Sequence, residues 1–236
     1  MLDKFSSSGD LRNNSPDIAV LGVGAIEQHG RHLPIATDWT QVKEISRRVA
    51  EELGALLLPA IPFSMSECHG LMPGTVYLKP ETLSRVIKDI AASLREQGIK
   101  NLLILNGHGG NFILEPTIKS LNRRYPQFSV LMPAEVWAPV EDSPTIYETA
   151  GKGIHAEEME TSMQLYLNPD YVKDDRMDFV PNVGREFLDY AVMEEINPEG
   201  IWGLPSYGQT DKGERGIKAQ VQSVLKFVEE ALEVLK

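Results

Sequence analysis

Three short segments hold most of the side chains able to do chemistry. The first is Glu27-Gln-His29-Gly-Arg-His32-Leu-Pro-Ile-Ala-Thr-Asp38. In extended backbone, residues two apart face the same side, so Glu27 and His29 can approach one ion together. Asp38 precedes a predicted helix and would serve equally as its N-cap. His29 and His32 would serve equally as polar loop residues with no ligand role. The second segment is Asn106-Gly-His108-Gly-Gly-Asn111, whose glycines permit tight turns and leave the imidazole accessible. A phosphate cradle competes here, but Phe112 stands where G-x-G-x-x-G has its last glycine, and no Walker-type G-K-S/T follows. A metal-binding histidine is the better reading. The third is His155-Ala-Glu157-Glu158-Met-Glu160-Thr-Ser162. Acids near a helix start complement the helix dipole without any catalytic role. His155 and Glu160, five apart, do not share a face of a regular helix. For one site, His155 must sit at the helix start and Glu160 inside it.

These segments need elements to position them. Asp17 to Gly24 is an apolar run typical of a strand buried on both faces. Val42, Ile45, Val49 and Leu53 fall at helical spacing. Leu56 to Ile61 reads as a strand stopped by prolines. Pro80 suits a first helical position, with an apolar stripe through Leu83, Val86, Ile87, Ile90 and Leu94 and a stop at Gly98. Ile99 to Leu105 is strand-like, and the His108 segment follows it, at the strand's carboxyl end where open parallel sheets place their ligand crevices. A helix to about Arg124, a strand over Ser129 to Met132 and a C-terminal amphipathic helix from Ile217 to Leu235 complete the pattern. Alternating strands and helices predict a three-layer αβα fold around a mainly parallel sheet. The stretches Pro133 to Gly153 and Asn168 to Gly213 have weak periodicity and are expected to be excursions that shape a pocket or subunit contact, or plain surface connections. No repeat or linker interrupts the chain, so one domain over 1–236 is expected, with 1–16 as a polar N-terminal arm.

The composition restricts the class. The 236 residues include 23 basic and 34 acidic side chains, for a net charge of −11. That balance does not suit broad binding to nucleic acid or anionic membrane, which needs a basic face. A single cysteine excludes an internal disulfide and a four-cysteine zinc site. The N-terminus lacks a signal-peptide apolar core, and no apolar run approaches the roughly 18 residues of a membrane span. A cytoplasmic location is expected.

Taken in order, the segments resemble the creatininase (creatinine amidohydrolase) family, with its E-x-H-G-x-H-L-P followed by Asp, its N-G-H and its H-A-x-x-x-E-T-S. A fourth family-like segment is Ser66-Glu-Cys-His69-Gly-Leu-Met-Pro-Gly-Thr75. The resemblance implies a creatininase-like α/β metallohydrolase with two divalent ions, zinc first and manganese or iron as alternatives. Carried over, Glu27 and His29 bind different ions and Asp38 bridges them. His108 joins the ion of Glu27. Creatinine-hydrolysing members carry a further Glu where Gly110 stands here, and Glu160 is the replacement ligand for the ion of His29. Glu27, Asp38 and Glu160 carry three negative charges, so one divalent ion leaves the set net negative and two leave it net positive, which favours water deprotonation.

The implied reaction is attack of a metal-bound hydroxide on an amide-type carbonyl. His155, with Glu160 beside it, forms the catalytic pair, His155 as the proton shuttle. His32 is expected to orient ligands rather than bind metal. His69, Thr75, Asn111 and Trp137 are expected on the substrate side, while Cys68 fits a small buried thiol better than a nucleophile. Creatinine-hydrolysing members also place a tryptophan four residues before the acid/base histidine. Gly151 stands there, and Glu157 replaces the usual glycine of H-A-G, which argues against creatinine itself. Trp137 or Trp202 would supply an aromatic wall instead, although Trp is as readily a core or interface residue. The expected substrate is a small cyclic amide or formamide, with an oxidised cyclic polyol or lactone as the alternative. A metal-binding scaffold without activity is the non-enzymatic alternative. The resemblance also implies a homo-oligomer, a trimer of dimers.

Overall fold

A computed structural model of the protein describes residues 1–133 and 143–235. Helix α1 (Ser8–Asn14) opens the chain, begun by a capping box between Ser7 and Asp10. The polar lead-in is therefore partly helical. Leu2 bridges Leu56, and Leu2 and Leu11 pack against the core, because these are the apolar side chains the segment has to bury. Strand β1 (Ile18–Val23) follows, then α2 (Thr37–Leu53) and β2 (Leu56–Leu57). Helix α3 (Pro80–Glu96) leads to β3 (Asn101–Asn106), α4 (Leu114–Arg124) and β4 (Ser129–Leu131). The remaining helices are α5 (Ser143–Ile146), α6 (Glu158–Leu167), α7 (Met193–Ile196) and α8 (Thr210–Val234).

The described strands form one sheet in the order β2-β1-β3-β4, every pair parallel. The strand expected over Leu56 to Ile61 shrinks to two residues. Pro59 has no N–H to donate, and the chain rejoins the sheet only at Ile61, which bridges Val23.

Alternation along the strands sorts the core into two faces. Val20, Leu103 and Leu105 point to the side covered by α2 and α8 through Val42, Ile45, Val49, Ile217, Val224 and Val228. Ala19, Leu21, Leu102 and Ile104 point to the other side, covered by α3 and α4 through Leu83, Ile87, Ile118 and Leu121. The result is the expected three-layer αβα arrangement. Each fully buried Leu, Ile or Val contributes about 1.5–3 kcal/mol from leaving water, so the strand ends beneath the site are anchored from both faces. No described helix is long and apolar enough to cross a membrane.

Candidate active site

In the strand order β2-β1-β3-β4, the chain leaves β1 toward one edge and β3 toward the other. A crevice therefore opens at the carboxyl ends of these neighbours. Glu27 and His29 follow β1, and His108 follows β3. Asp38 is the second residue of α2; Ala36 is that helix's N-cap, so Asp38 does not cap it and aims its carboxylate at two histidines instead. His155 lies just before α6, paired across an antiparallel bridge with Trp202, and Glu160 lies in the first turn of α6. The turn between them passes through Ala156, a buried non-glycine residue at φ +52°, a conformation that costs about 1–3 kcal/mol and is held by its surroundings. Its N–H donates to Glu160 Oε2 at 2.6 Å.

The geometry forms two triads that share Asp38. Donor atoms of Glu27, Asp38 and His108 lie within 4.8 Å of one another, as do those of His29, Asp38 and Glu160. A third grouping of the same kind joins Glu27, His29 and His155. His29 Nδ1–H donates to the main-chain oxygen of Glu27 at 3.1 Å, which leaves Nε2 facing Asp38 Oδ1 at 3.0 Å and Glu160 Oε2 at 3.7 Å. His108 Nε2–H donates to the Met65 carbonyl at 2.7 Å, so its Nδ1 lone pair meets Asp38 Oδ2 at 3.0 Å. Two acceptors at that distance need a cation between them, a proton or a metal ion. Both carboxylate oxygens of Glu27 and Oδ2 of Asp38 are buried without a hydrogen-bond partner, a costly state that a bound cation relieves. The residues present therefore fit divalent ions.

The titratable groups of the cluster respond to this crowding. Burial pushes Glu27 up to about 7. Burial opposes charge on His108, yet the Glu27 and Asp38 carboxylates push it up to about 9. His29 is likewise raised well above the usual imidazole range, against burial, by Asp38 and Glu160. Asp38 is held below the usual carboxylate range, against burial, by His29 and His108. His155 is pushed well down by burial and by neighbouring His69 and His29. Its ring packs on theirs at centroid distances of 4.2 and 4.3 Å.

Other expected site residues fall differently. His69 is buried beside the cluster, Nε2 3.6 Å from Glu27 Oε1. Thr75 does not line the cavity; its Oγ1 accepts from the Gln28 N–H at 3.1 Å, so it buttresses the loop that carries Glu27 and His29. Asn111 borders the cavity, but its amide is spent on Met65 N–H and Asn106 Oδ1. Trp137 lies outside the described residues. Trp202 is buried on the His155 bridge and is absent from the lining, and Gly151 sits in an exposed turn, so neither provides an aromatic wall. Apart from histidines, the rings on the cavity among the described residues are Phe112 and Tyr190. The Nε2 of His32 bonds Thr161 Oγ1 at 3.0 Å, one residue beyond Glu160, rather than a candidate ligand side chain. Burial pushes the Cys68 thiol up to about 12, which removes it as a thiolate nucleophile. Gly110 leaves no room for a side chain, since a Cβ there would collide with His108 Nε2 and the Met65 carbonyl. Glu157 is the N-cap of α6, its carboxylate accepting from Met159 and Glu160 N–H at 2.7 and 3.0 Å.

Asp38, His108, His155 and Glu160 of the cluster border a cavity of about 1130 Å³. Residues 185 to 195 wall one side, tied down by Arg185 Nη2–H donating to the Gly109 carbonyl at 2.7 Å. Around the mouth stand Glu67, Glu115, Glu186, Asp189 and Glu195, with Arg185 the one Lys or Arg of the described lining. This wall lies within the stretch Asn168 to Gly213, for which shaping a pocket was one of the expected roles, although sequence reasoning singled out none of its residues. That reasoning also missed Gln28, which sits inside the first segment and whose amide reaches His69, His155 and Gly200.

A sequence model of the Creatininase family, described as creatinine amidohydrolase, matches residues 7–228. The chain is 30% identical to the creatinine amidohydrolase of Pseudomonas putida over 232 residues, covering 90% of this chain and 89% of that one. It is 24% identical to the 3-dehydro-scyllo-inosose hydrolase of Thermotoga maritima over 243 residues, covering 92% and 78%. Among solved structures, a mutant creatininase of zinc–zinc type superposes with a TM-score of 0.84 at 25% identity, covering 96% of each chain.

Proposed function

We propose, for a chain that belongs to the creatininase (creatinine amidohydrolase) family and is a metal-dependent hydrolase of that family, that it hydrolyses a non-peptide C–N bond of a small cyclic amide or formamide. The observation that carries this reading is the pair of triads sharing Asp38, with buried carboxylate oxygens that lack partners, beside a cavity bordered by Asp38, His108 and Glu160. Glu27, Asp38 and His108 would hold one divalent ion, and His29, Asp38 and Glu160 the other. Zinc is the first choice, supported by the zinc–zinc form of the similar structure, with manganese or iron as alternatives. Such ions supply Lewis acidity and a water that ionises near neutral pH.

The chain's own residues do the rest. His29 and His108 are locked in orientation by main-chain carbonyls, so their ligating nitrogens need no reorganisation. His155 donates Nε2–H to the Gln28 carbonyl at 2.8 Å and keeps Nδ1 bare, 3.6 Å from Glu27 Oε1. A buried imidazole with a free nitrogen at the reacting centre can take a proton and pass it to a leaving nitrogen. Phe112 and Tyr190 offer faces for a flat ring, and the acidic mouth favours neutral or cationic substrates over phosphorylated ones.

Metal analysis after reconstitution tests the centre, with two ions per chain expected and well under two contradicting it. A substrate panel read by ammonia, formate or ring-opened polyol release tests the reaction. His155→Ala is expected to retain both ions and lose turnover; loss of an ion would make His155 a ligand in the third grouping. The likeness to the Thermotoga hydrolase favours one second reading, an oxidised cyclic polyol, which polyol release would reveal. We also read the protein as a single-domain, cytoplasmic homo-oligomer, a trimer of dimers. Exposed Phe63 and Val76 support a subunit contact, and light scattering would test the assembly.

A further inference from the structure

Gln28 lies between two candidate ligands, and both ends of its side-chain amide are tied to main chain. Oε1 accepts from the Gly30 N–H at 3.0 Å, and Nε2 donates to the Gly200 carbonyl at 3.0 Å. A main-chain N–H can only donate and a carbonyl only accept, so the amide has a single allowed orientation. Gly200 sits at φ +70°, and a Cβ there would collide with Gln28 Oε1, so this approach needs glycine.

One amide hydrogen remains. Nε2 lies 2.8 Å from His69 Nδ1 and 3.0 Å from His155 Nε2. His155 Nε2 is also 2.8 Å from the main-chain oxygen of Gln28, which can only accept, so that nitrogen carries a hydrogen. The free amide hydrogen therefore goes to His69 Nδ1, which must be bare. Neutral His69 then holds its hydrogen on Nε2, 3.6 Å from Glu27 Oε1, while His155 turns its bare Nδ1 toward the same oxygen at the same 3.6 Å.

We propose that Gln28 is a positioning residue that fixes His69 and His155 together as Nε2–H tautomers, so that one ring presents a donor and the other an acceptor to a single oxygen of Glu27. Its main-chain carbonyl sets His155, and its side-chain amide sets His69. The assignment concerns the metal-free chain and holds whether or not the reading of the ions is right; its use in proton transfer rests on that reading.

Long-range proton–nitrogen correlation spectra of metal-free, histidine-labelled protein report each ring's tautomer. The two rings are assigned by the signals lost in His69→Asn and His155→Asn. Both are expected as Nε2–H in the unaltered protein. Gln28→Glu replaces the donor with an acceptor, so His69 should move to Nδ1–H while His155, held by the main chain, stays as it was. An Nδ1–H form of His69 in the unaltered protein overturns the proposal, as does a His69 spectrum unmoved by Gln28→Glu. Should that variant not fold, the unaltered spectrum decides alone. Failure of the ion reading would appear separately, as absent zinc uptake with these spectra unchanged.

Discussion

Filling the metal-free protein with two equivalents of zinc at pH 7 is expected to expel protons, and their number follows from the cluster. His29 is raised well above the usual imidazole range and His108 to about 9, so both are protonated before the ions arrive. Each must become neutral to ligate, which releases about two protons per chain. Glu27, raised to about 7, is roughly half protonated and adds about half a proton. Titration calorimetry in buffers of different ionisation enthalpy reads this number from the slope of heat against buffer enthalpy. The count should fall as pH rises through 9, when His108 is already neutral. Fewer than about one proton at pH 7 would refute the reasoning, because the histidines would then not face the carboxylates as charged partners. The same shift sets stability. His108 has a folded value of about 9 against 6.5 for the free side chain. Its contribution is thus fully present below pH 6.5 and is lost as pH rises through 9. For this buried group the loss is about 3 kcal/mol, or roughly 6–12 °C in Tm for a chain of this size. Glu27 acts with the same sign in the lower window between 4.5 and 7. Zinc-saturated protein should lose the His108 dependence.

Lys212→Met should strand the buried carboxylate of Glu158, now 2.6 Å from Lys212 Nζ. A loss of about 3–5 kcal/mol is expected in denaturant melts, and adding Glu158→Gln should recover part of it; strictly additive losses would show that the pair does not interact. Gly110→Ala should displace His108 from Met65 and lower zinc content by about one ion per chain, checked by metal analysis. Cys68→Ala should keep turnover, and the native thiol, half-buried on the cavity, should resist alkylation at pH 8, since its value lies near 12; rapid alkylation would contradict that raised value.

How much was legible in the sequence depended on how local each constraint is. The stripe Val42, Ile45 and Val49 announces α2 because one face of that helix meets the sheet, and β1 and β3 read as apolar runs because both their faces are covered. The grouping of Glu27 and His29 with Asp38 and His108 was legible only through the resemblance of the segments to the family motifs; spacing alone placed Glu27 and His29 on one side and left Asp38 equally an N-cap. Thr75 was misplaced because its hydroxyl serves Gln28, 47 positions earlier. Gln28 carried no signal of its own, because its meaning depends on Gly200, 172 positions away. Pro59 cut β2 short where apolar character alone suggested a longer strand.

The third segment was the weakest in sequence, and the reason explains how Glu160 reaches the site. Residues Glu158 to Gln164 of α6 are all buried, so the helix has no solvent face to balance an apolar stripe. Its register must be set by something other than periodicity. Two amide contacts to α2 do so: Gln41 Nε2 donates to the Glu160 carbonyl at 3.2 Å, and Gln164 Nε2 to the Thr37 carbonyl at 3.1 Å. Both tie α6 to the first turns of α2, which hold Asp38. A slip of one residue would shift α6 by about 1.5 Å and rotate Glu160 by about 100°, which would take its carboxylate away from His29. Asp38 and Glu160, its neighbour in the second triad, are therefore held in register by α2 itself. Substitutions at Gln41 or Gln164 should disturb the His29 side of the centre before the His108 side, because His108 is held by Met65 and the β3 end instead.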